Sequence, residues 1–220
     1  MVGVPDASSR WSDLERPALD GPALAGALTR DSSLWRSLEV LDEIGSTNAE
    51  LVARAAREPG DGGAPEGAVL LAEHQVTGRG RLDRTWTSPP RAGITVSFLL
   101  RPDVPAARRG WLPLLTGVAL AEAVAEGTGV LPSLKWPNDL LAADGRKLAG
   151  ILAETAPSPD TPMGVVVGVG LNVNTTTDEL PDTGTSLARV LGRTVDRAPV
   201  LLAVLRAFAS RYRRWTDGLG

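Results

Sequence analysis

The 220-residue chain is 43% hydrophobic and 22% charged, as ordinary globular proteins are, and is long enough for one generous domain or two small ones. Its net charge of -3 gives no reason to expect DNA or another polyanion as partner, and the lack of cysteine excludes a disulfide framework and a thiolate metal site. With neither a basic and apolar leader nor an apolar run of about 20 residues, the expectation is a cytoplasmic protein with no membrane span.

Residues 1–18 are polar and rich in Ser, Asp and Pro, which predicts a disordered or loosely attached segment, with one domain over 19–220. A short helix is expected from Pro22 to Arg30. "WRSLEVLDEI" reads as a strand leading into "GSTN", where Ser46, Thr47 and Asn48 can cap a helix over "AELVARAARE". "EPGDGGAPEG" is a loop by composition, "AVLLAEH" a continuous apolar strand and "GITVSFLL" another strand. "WLPLLTGVALAEAVAEGTG" carries helical spacing and ends on glycines that suit a helix stop. In the second half, "LPSLKWPND" is a strand into a turn, "KLAGILAET" a strand after the turn "ADGR", and "GVVVGVGLNVN" a strand ending in asparagines. "TSLARVLG" and "APVLLAVLRAFASRYRRW" are helices. Strands and helices mix without regular crossover units, so the expected class is α+β, a mixed β-sheet flanked by helices.

Of 23 basic side chains only Lys135 and Lys147 are lysine, so each is an exception to a strong drift toward arginine, by chance grouping or because the position needs a geometry arginine cannot supply. The four asparagines (Asn48, Asn138, Asn172, Asn174), Gln75 and His74 are equally scarce. All eight fall in "GSTN", "EHQVTGRGR", "KWPNDLLAADGRKLAG" and "GVGLNVN". Lysine supplies a compact point charge and asparagine a paired donor and acceptor, geometries a guanidinium lacks.

No Walker A motif occurs, "GRGRLD" and "GVGLNV" each lack the third glycine of a dinucleotide fingerprint, and one histidine makes neither a zinc site nor, without a nucleophile elbow, a hydrolytic triad. The loop "TGRGRLDRTW" instead offers glycines that let backbone N–H groups approach an anion, and guanidinium forks that bind planar oxyanions in pairs. Arg79 and Arg81 would project to one side of an extended segment; a solvated basic turn is the alternative.

Taken in order, "GSTN", "TGRGR" with a following tryptophan, "KWPND", "KLAGIL" and "GVGLNVN" resemble the catalytic domain of biotin protein ligases, the biotin–[acetyl-CoA-carboxylase] ligases, from about Glu39 to Asn174 and more loosely to Trp215. The resemblance implies a fold like that of class II aminoacyl-tRNA synthetases. It also implies a two-step reaction: biotin and ATP give biotinyl-5'-AMP and pyrophosphate, and the acyl group then passes to a lysine of a biotin carboxyl carrier domain of acetyl-CoA or a related acyl-CoA carboxylase. By resemblance, Ser46, Thr47, Asn48, Gln75, Arg79, Gly80, Arg81, Lys147 and Gly150 surround biotin. Arg81, Trp86, Asn138, Lys147 and Asn172 meet the nucleotide. Arg81, Lys147 and Asp139 are the catalytic set, with Asp139 a holder of magnesium or a base for the incoming lysine. Ser46 to Asn48 could equally be a helix cap and Trp86 a core anchor. Metal would come as Mg-ATP, with no metal site of the protein's own. About 38 residues precede the first matched strand, too few for the family's winged helix, and the usual SH3-like domain does not follow. DNA binding is therefore not expected, and a monomer or weak homodimer is. A lipoate or related acyl-carrier ligase, or a biotin-binding module impaired in transfer, are the competing readings.

Overall fold

The computed structural model describes residues 16–30, 32–82, 84–157 and 163–218. Of the segment expected to be loose, residues 1–15 lie outside these, while Arg16 and Pro17 near its end are tied down, as is Leu19 just beyond it. Arg16 forms an ion pair with Glu179 at 2.6 Å and donates to the Asn174 carbonyl, while the Leu19 N–H donates to Glu73. The Arg16 guanidinium holds the Glu179 carboxyl down at about 2.

In chain order the elements are α1 (Gly21–Thr29), β1 (Ser37–Ile44), α2 (Thr47–Ala55), β2 (Ala68–Gln75), β3 (Gly93–Leu100), α3 (Ala106–Arg109), α4 (Leu112–Thr128), β4 (Ser133–Lys135), β5 (Asp139–Leu141), β6 (Lys147–Ala156), β7 (Gly164–Asn172), α5 (Leu187–Leu191) and α6 (Arg197–Thr216). The strands form one seven-stranded sheet in the order β1-β2-β3-β7-β6-β5-β4. Only β1 and β2 run parallel; every other neighbour pair is antiparallel. This is the mixed sheet flanked by helices that the element order predicts.

Sequence chemistry explains the layering. All nine residues of β7, a strand in the middle of the sheet, are buried. Its odd positions, Val165, Val167, Val169 and Leu171, join Phe98 and Val96 of β3 in the main core under α1, α4 and α6. There Trp35, Phe98 and Phe208 pack with ring centroids 4.6–6.0 Å apart, and the Trp35 indole N–H donates to the Leu205 carbonyl. Each such side chain contributes roughly 1.5–3 kcal/mol by leaving water.

Among the described residues, the helix on the opposite face is α2. Leu51 and Ala55 of that helix meet Leu70, Leu99 and Val166 in a smaller cluster near one end of the strands. Beyond this cluster, among the described residues, no helix covers that face, and the even positions of β7 shrink to Gly168 and Gly170. The missing side chains leave a trough. Two further differences from expectation are local. Helix α2 starts at Thr47, two residues early, because Ser46 alone is the N-cap and accepts from the Ala49 N–H. Helix α3 was hidden by the prolines flanking "AARR". Among the described residues no helix is long and apolar enough to cross a membrane.

Candidate active site

The trough is a cavity of about 310 Å³. Its floor comprises Gly168 and Gly170 of β7, Gly150 of β6 and Ser97 of β3, and Gly150 stands directly across the ladder from Gly170. A Cβ on Gly168 would lie 2.2 Å from Asn48 Oδ1, and one on Gly170 would lie 2.3 Å from the Trp86 ring. Any larger residue would close the floor.

One wall is the start of α2. Thr47 donates through both its N–H (2.7 Å) and its hydroxyl (2.9 Å) to Gln75 Oε1, which pins the glutamine at the end of β2 to the helix. Asn48 donates to Glu154 Oε2 (2.9 Å) and to the Leu152 carbonyl (3.3 Å), while Ser97 approaches both Thr47 and Asn48. Ser46, Thr47, Asn48 and Ser97 are all buried, so this wall is neutral, polar and pre-formed.

The arginine loop makes the opposite wall. It is a hairpin rather than a continuous extended segment: Arg79 bridges Thr85, the Gly80 N–H donates to the Arg84 carbonyl, the Trp86 N–H donates to the Gly78 carbonyl, and Leu82 takes φ 54° at the tip. Gly78 is required here, since a Cβ would fall 2.2 Å from the Trp86 carbonyl oxygen. Arg79 and Arg81 both line the cavity, but they do not converge on one point. Arg79 pairs with Glu154 at 3.2 Å, and Arg81 reaches Asn138 Oδ1 at 3.4 Å.

The third wall is the turn between β4 and β5 with the first residue of β6. Asn138 donates to the Ile151 carbonyl, and the Lys147 ammonium sits 2.7 Å from Asp139 and 5.8 Å from the centroid of the Trp86 ring. Lys147 thus places a compact ammonium beside a carboxylate in the cavity. The Trp86 ring lies over Gly170 with its indole N–H buried and unpartnered. The cavity continues past Trp136 and Leu82, both exposed, into an outer groove that reaches Pro113 and Leu114.

Of the eight scarce residues, Asn48, Gln75, Lys135, Asn138 and Lys147 line the cavity. Asn172 does not: it is buried beside it, its amide donating to the carbonyls of Thr185 and Lys147, where it braces the chain next to the lysine. Asn174 bonds to Val195, and His74 pairs with Glu43. Sequence reasoning missed Ser97 and Glu154. Each is a polar residue inside an apolar strand, and that mismatch was the only signal available. Among the described residues no cluster of three or more His, Asp or Glu stands ready to hold a metal ion.

The profile of the Biotin/lipoate A/B protein ligase family matches residues 61–172. Over 209 residues the chain is 44% identical to the "Biotin--[acetyl-CoA-carboxylase] ligase" of Mycobacterium tuberculosis, covering 93% of this chain and 75% of that protein. It is 40% identical over 164 residues to the "Bifunctional ligase/repressor BirA" of Bacillus subtilis, covering 73% of this chain but only 50% of the relative. Among solved structures, the biotin protein ligase of Aquifex aeolicus in complex with biotin and ATP superposes with a TM-score of 0.70 at 34% identity, over 83% of this chain and 73% of that one. With the matched stretch running through every strand that floors the cavity, the chain belongs to the Biotin/lipoate A/B protein ligase family.

Proposed function

We propose that this protein activates biotin with ATP, forming biotinyl-5'-AMP and releasing pyrophosphate, and then transfers the biotinyl group to a lysine of a biotin carboxyl carrier domain. One observation carries this reading: Arg81 and Lys147 border the same cavity as Ser46, Thr47, Asn48 and Gln75. A ligand with a neutral polar head and an anionic tail fits that division, its head on the α2 wall and its acid among the cations.

In the first step a biotin carboxylate oxygen attacks the α-phosphorus, and the electron pair of the breaking P–O bond leaves with pyrophosphate. Both reactants are anions, so the site must offset their repulsion and fix the line of approach. We assign Lys147 and Arg81 to the carboxylate and α-phosphate, and Asn138 and Trp86 to the nucleotide. Arg79 and Gly80 form one side of the biotin channel and Gly150 part of its floor, with Asn172 supporting Lys147 from behind. The 2.7 Å pair favours Asp139 as the residue that positions the Lys147 ammonium. In the second step the carrier amine attacks the carbonyl, loses a proton, and AMP departs. Magnesium enters with ATP as part of the substrate. We place the protein in the cytoplasm, acting without DNA as a monomer or weak homodimer; its net charge of -3 supports the absence of a polyanion partner.

Exchange of labelled pyrophosphate into ATP tests the reading. It is expected with biotin and not with lipoate; biotin binding without exchange would reduce the protein to a binding module. The floor provides a second check. Gly168→Ala drives a methyl into Asn48, whose amide is held on its far side by Leu152 and Glu154 and has little room to retreat. The KM for biotin in the exchange assay is expected to rise about 100-fold, the scale of a 1 Å misplacement.

A further inference from the structure

The hairpin that carries the arginines leaves the sheet at the end of β2 and returns at β3, yet its side chains come down further along the sheet. Trp86 lies against Gly170 of β7, and Arg79 pairs with Glu154 of β6 at 3.2 Å. In the strand order β2-β3-β7-β6, with neighbours about 4.8 Å apart, the hairpin bridges roughly 10 Å of sheet, and the glycine floor lies beneath it. Glu154 is the far footing of that bridge. Its carboxylate oxygens are divided between two partners: Oε1 faces Arg79, and Oε2 accepts from the Asn48 amide at 2.9 Å. One side chain thus ties the hairpin to the start of α2.

The two arms differ in stiffness. Asn48 is buried and is held separately by the Leu152 carbonyl and the Ser97 hydroxyl, so the α2 arm is rigid. The Arg79 side chain is 55% exposed, so the hairpin arm is the one that gives. Glu154 itself borders the outer groove, where its negative charge stands apart from the reacting anions and acts on the protein. Arg81, two residues along the same hairpin, reaches the neutral Asn138 amide instead. Resting on the biotin reading above, we propose that Glu154 is a positioning residue: it acts through Arg79 to hold the arginine hairpin down over the cavity, which keeps Arg81 and Trp86 in place. The strength suits a latch. An ion pair this exposed shifts an equilibrium by a factor of about 5 at most, so the hairpin is biased downward and still lifts to admit a ligand.

The test is a double-mutant cycle on the intact protein, read as kcat and KM for biotin in pyrophosphate exchange. Glu154→Gln keeps an oxygen for Asn48 and turns an NH2 toward Arg79, so the α2 arm stands while the ion pair is lost. The KM for biotin is expected to rise by about 5-fold while kcat holds, because a smaller fraction of the free protein has its hairpin down and saturating substrate restores it. In an Arg79→Gln background the same substitution should add nothing, leaving the double variant within about 2-fold of Arg79→Gln. Added salt should close the gap between wild type and Glu154→Gln, since screening weakens an exposed ion pair; a merely structural defect would persist in salt. Glu154→Asp, which keeps the charge but withdraws it from Arg79 by one methylene, carries the same cycle if the glutamine variant does not fold. Wild-type kcat/KM in Glu154→Gln, or a double variant whose loss is the product of the two single losses, overturns this inference alone. A wild type with no biotin-dependent exchange overturns the functional reading beneath it.

Discussion

Replacing Lys147 by alanine is expected to lower biotin-dependent pyrophosphate exchange by about 10²–10³-fold, the scale seen when one charge-stabilising donor is removed from a site of this kind. Two effects act in the same direction. The ammonium that would sit between two anions is lost, and Asp139, now without its 2.7 Å partner, turns its carboxylate toward the incoming phosphates. Lys147→Arg should recover little. A Cβ on Gly150 would already lie 3.0 Å from the Lys147 nitrogen, which shows how closely the ammonium rests on the floor, and a planar guanidinium is broader and less able to follow a moving charge. Steady-state exchange assays on the two variants and on Asp139→Asn decide it. Recovery above about a tenth of wild-type activity in Lys147→Arg would mean that charge alone matters there.

The second large effect is on stability. Glu73 and Arg197 form an ion pair at 2.5 Å with both side chains 3% exposed, on the face of the sheet away from the cavity. Arg197 also donates to the carbonyls of Gly93 and Pro17, and Glu73 accepts from the Leu19 N–H, so one buried pair joins β2, β3, the start of α6 and the segment ahead of α1. Glu73→Ala strands a guanidinium in the core and is expected to destabilise the fold by about 3–5 kcal/mol. For a domain of this size that is a drop in melting temperature on the order of 10 °C. Thermal and urea denaturation measure it. The folded fraction should keep its KM for biotin, because no cavity residue touches the pair.

Much of this architecture could be read from residue order, for identifiable physical reasons. Period and composition locate the β-branched strands and α4 because those elements are buried enough for hydrophobicity to govern them. The scarce residues locate the cavity because a composition so dominated by arginine makes each lysine and asparagine conspicuous. What escaped was decided by partners distant in the chain. Asn172 has the same chemistry as Asn138, and only the path of the segment after β7 turns it toward Thr185 instead of the cavity. Arg79 and Arg81 are two apart, yet Arg79 bridges Thr85 in the hairpin while Arg81 opens its turn, and one reaches Glu154 and the other Asn138. Ser97 resembles any strand serine until α2 is laid across it.

The indole of Trp86 rests on bare backbone at Gly170, and its ring nitrogen has no acceptor. An unanswered N–H in such a place is a standing penalty of roughly 1–3 kcal/mol, which disappears once the ring swings into water or finds an oxygen. The depth of the trough at that point is accordingly set by one side chain standing on backbone and not by the strand itself.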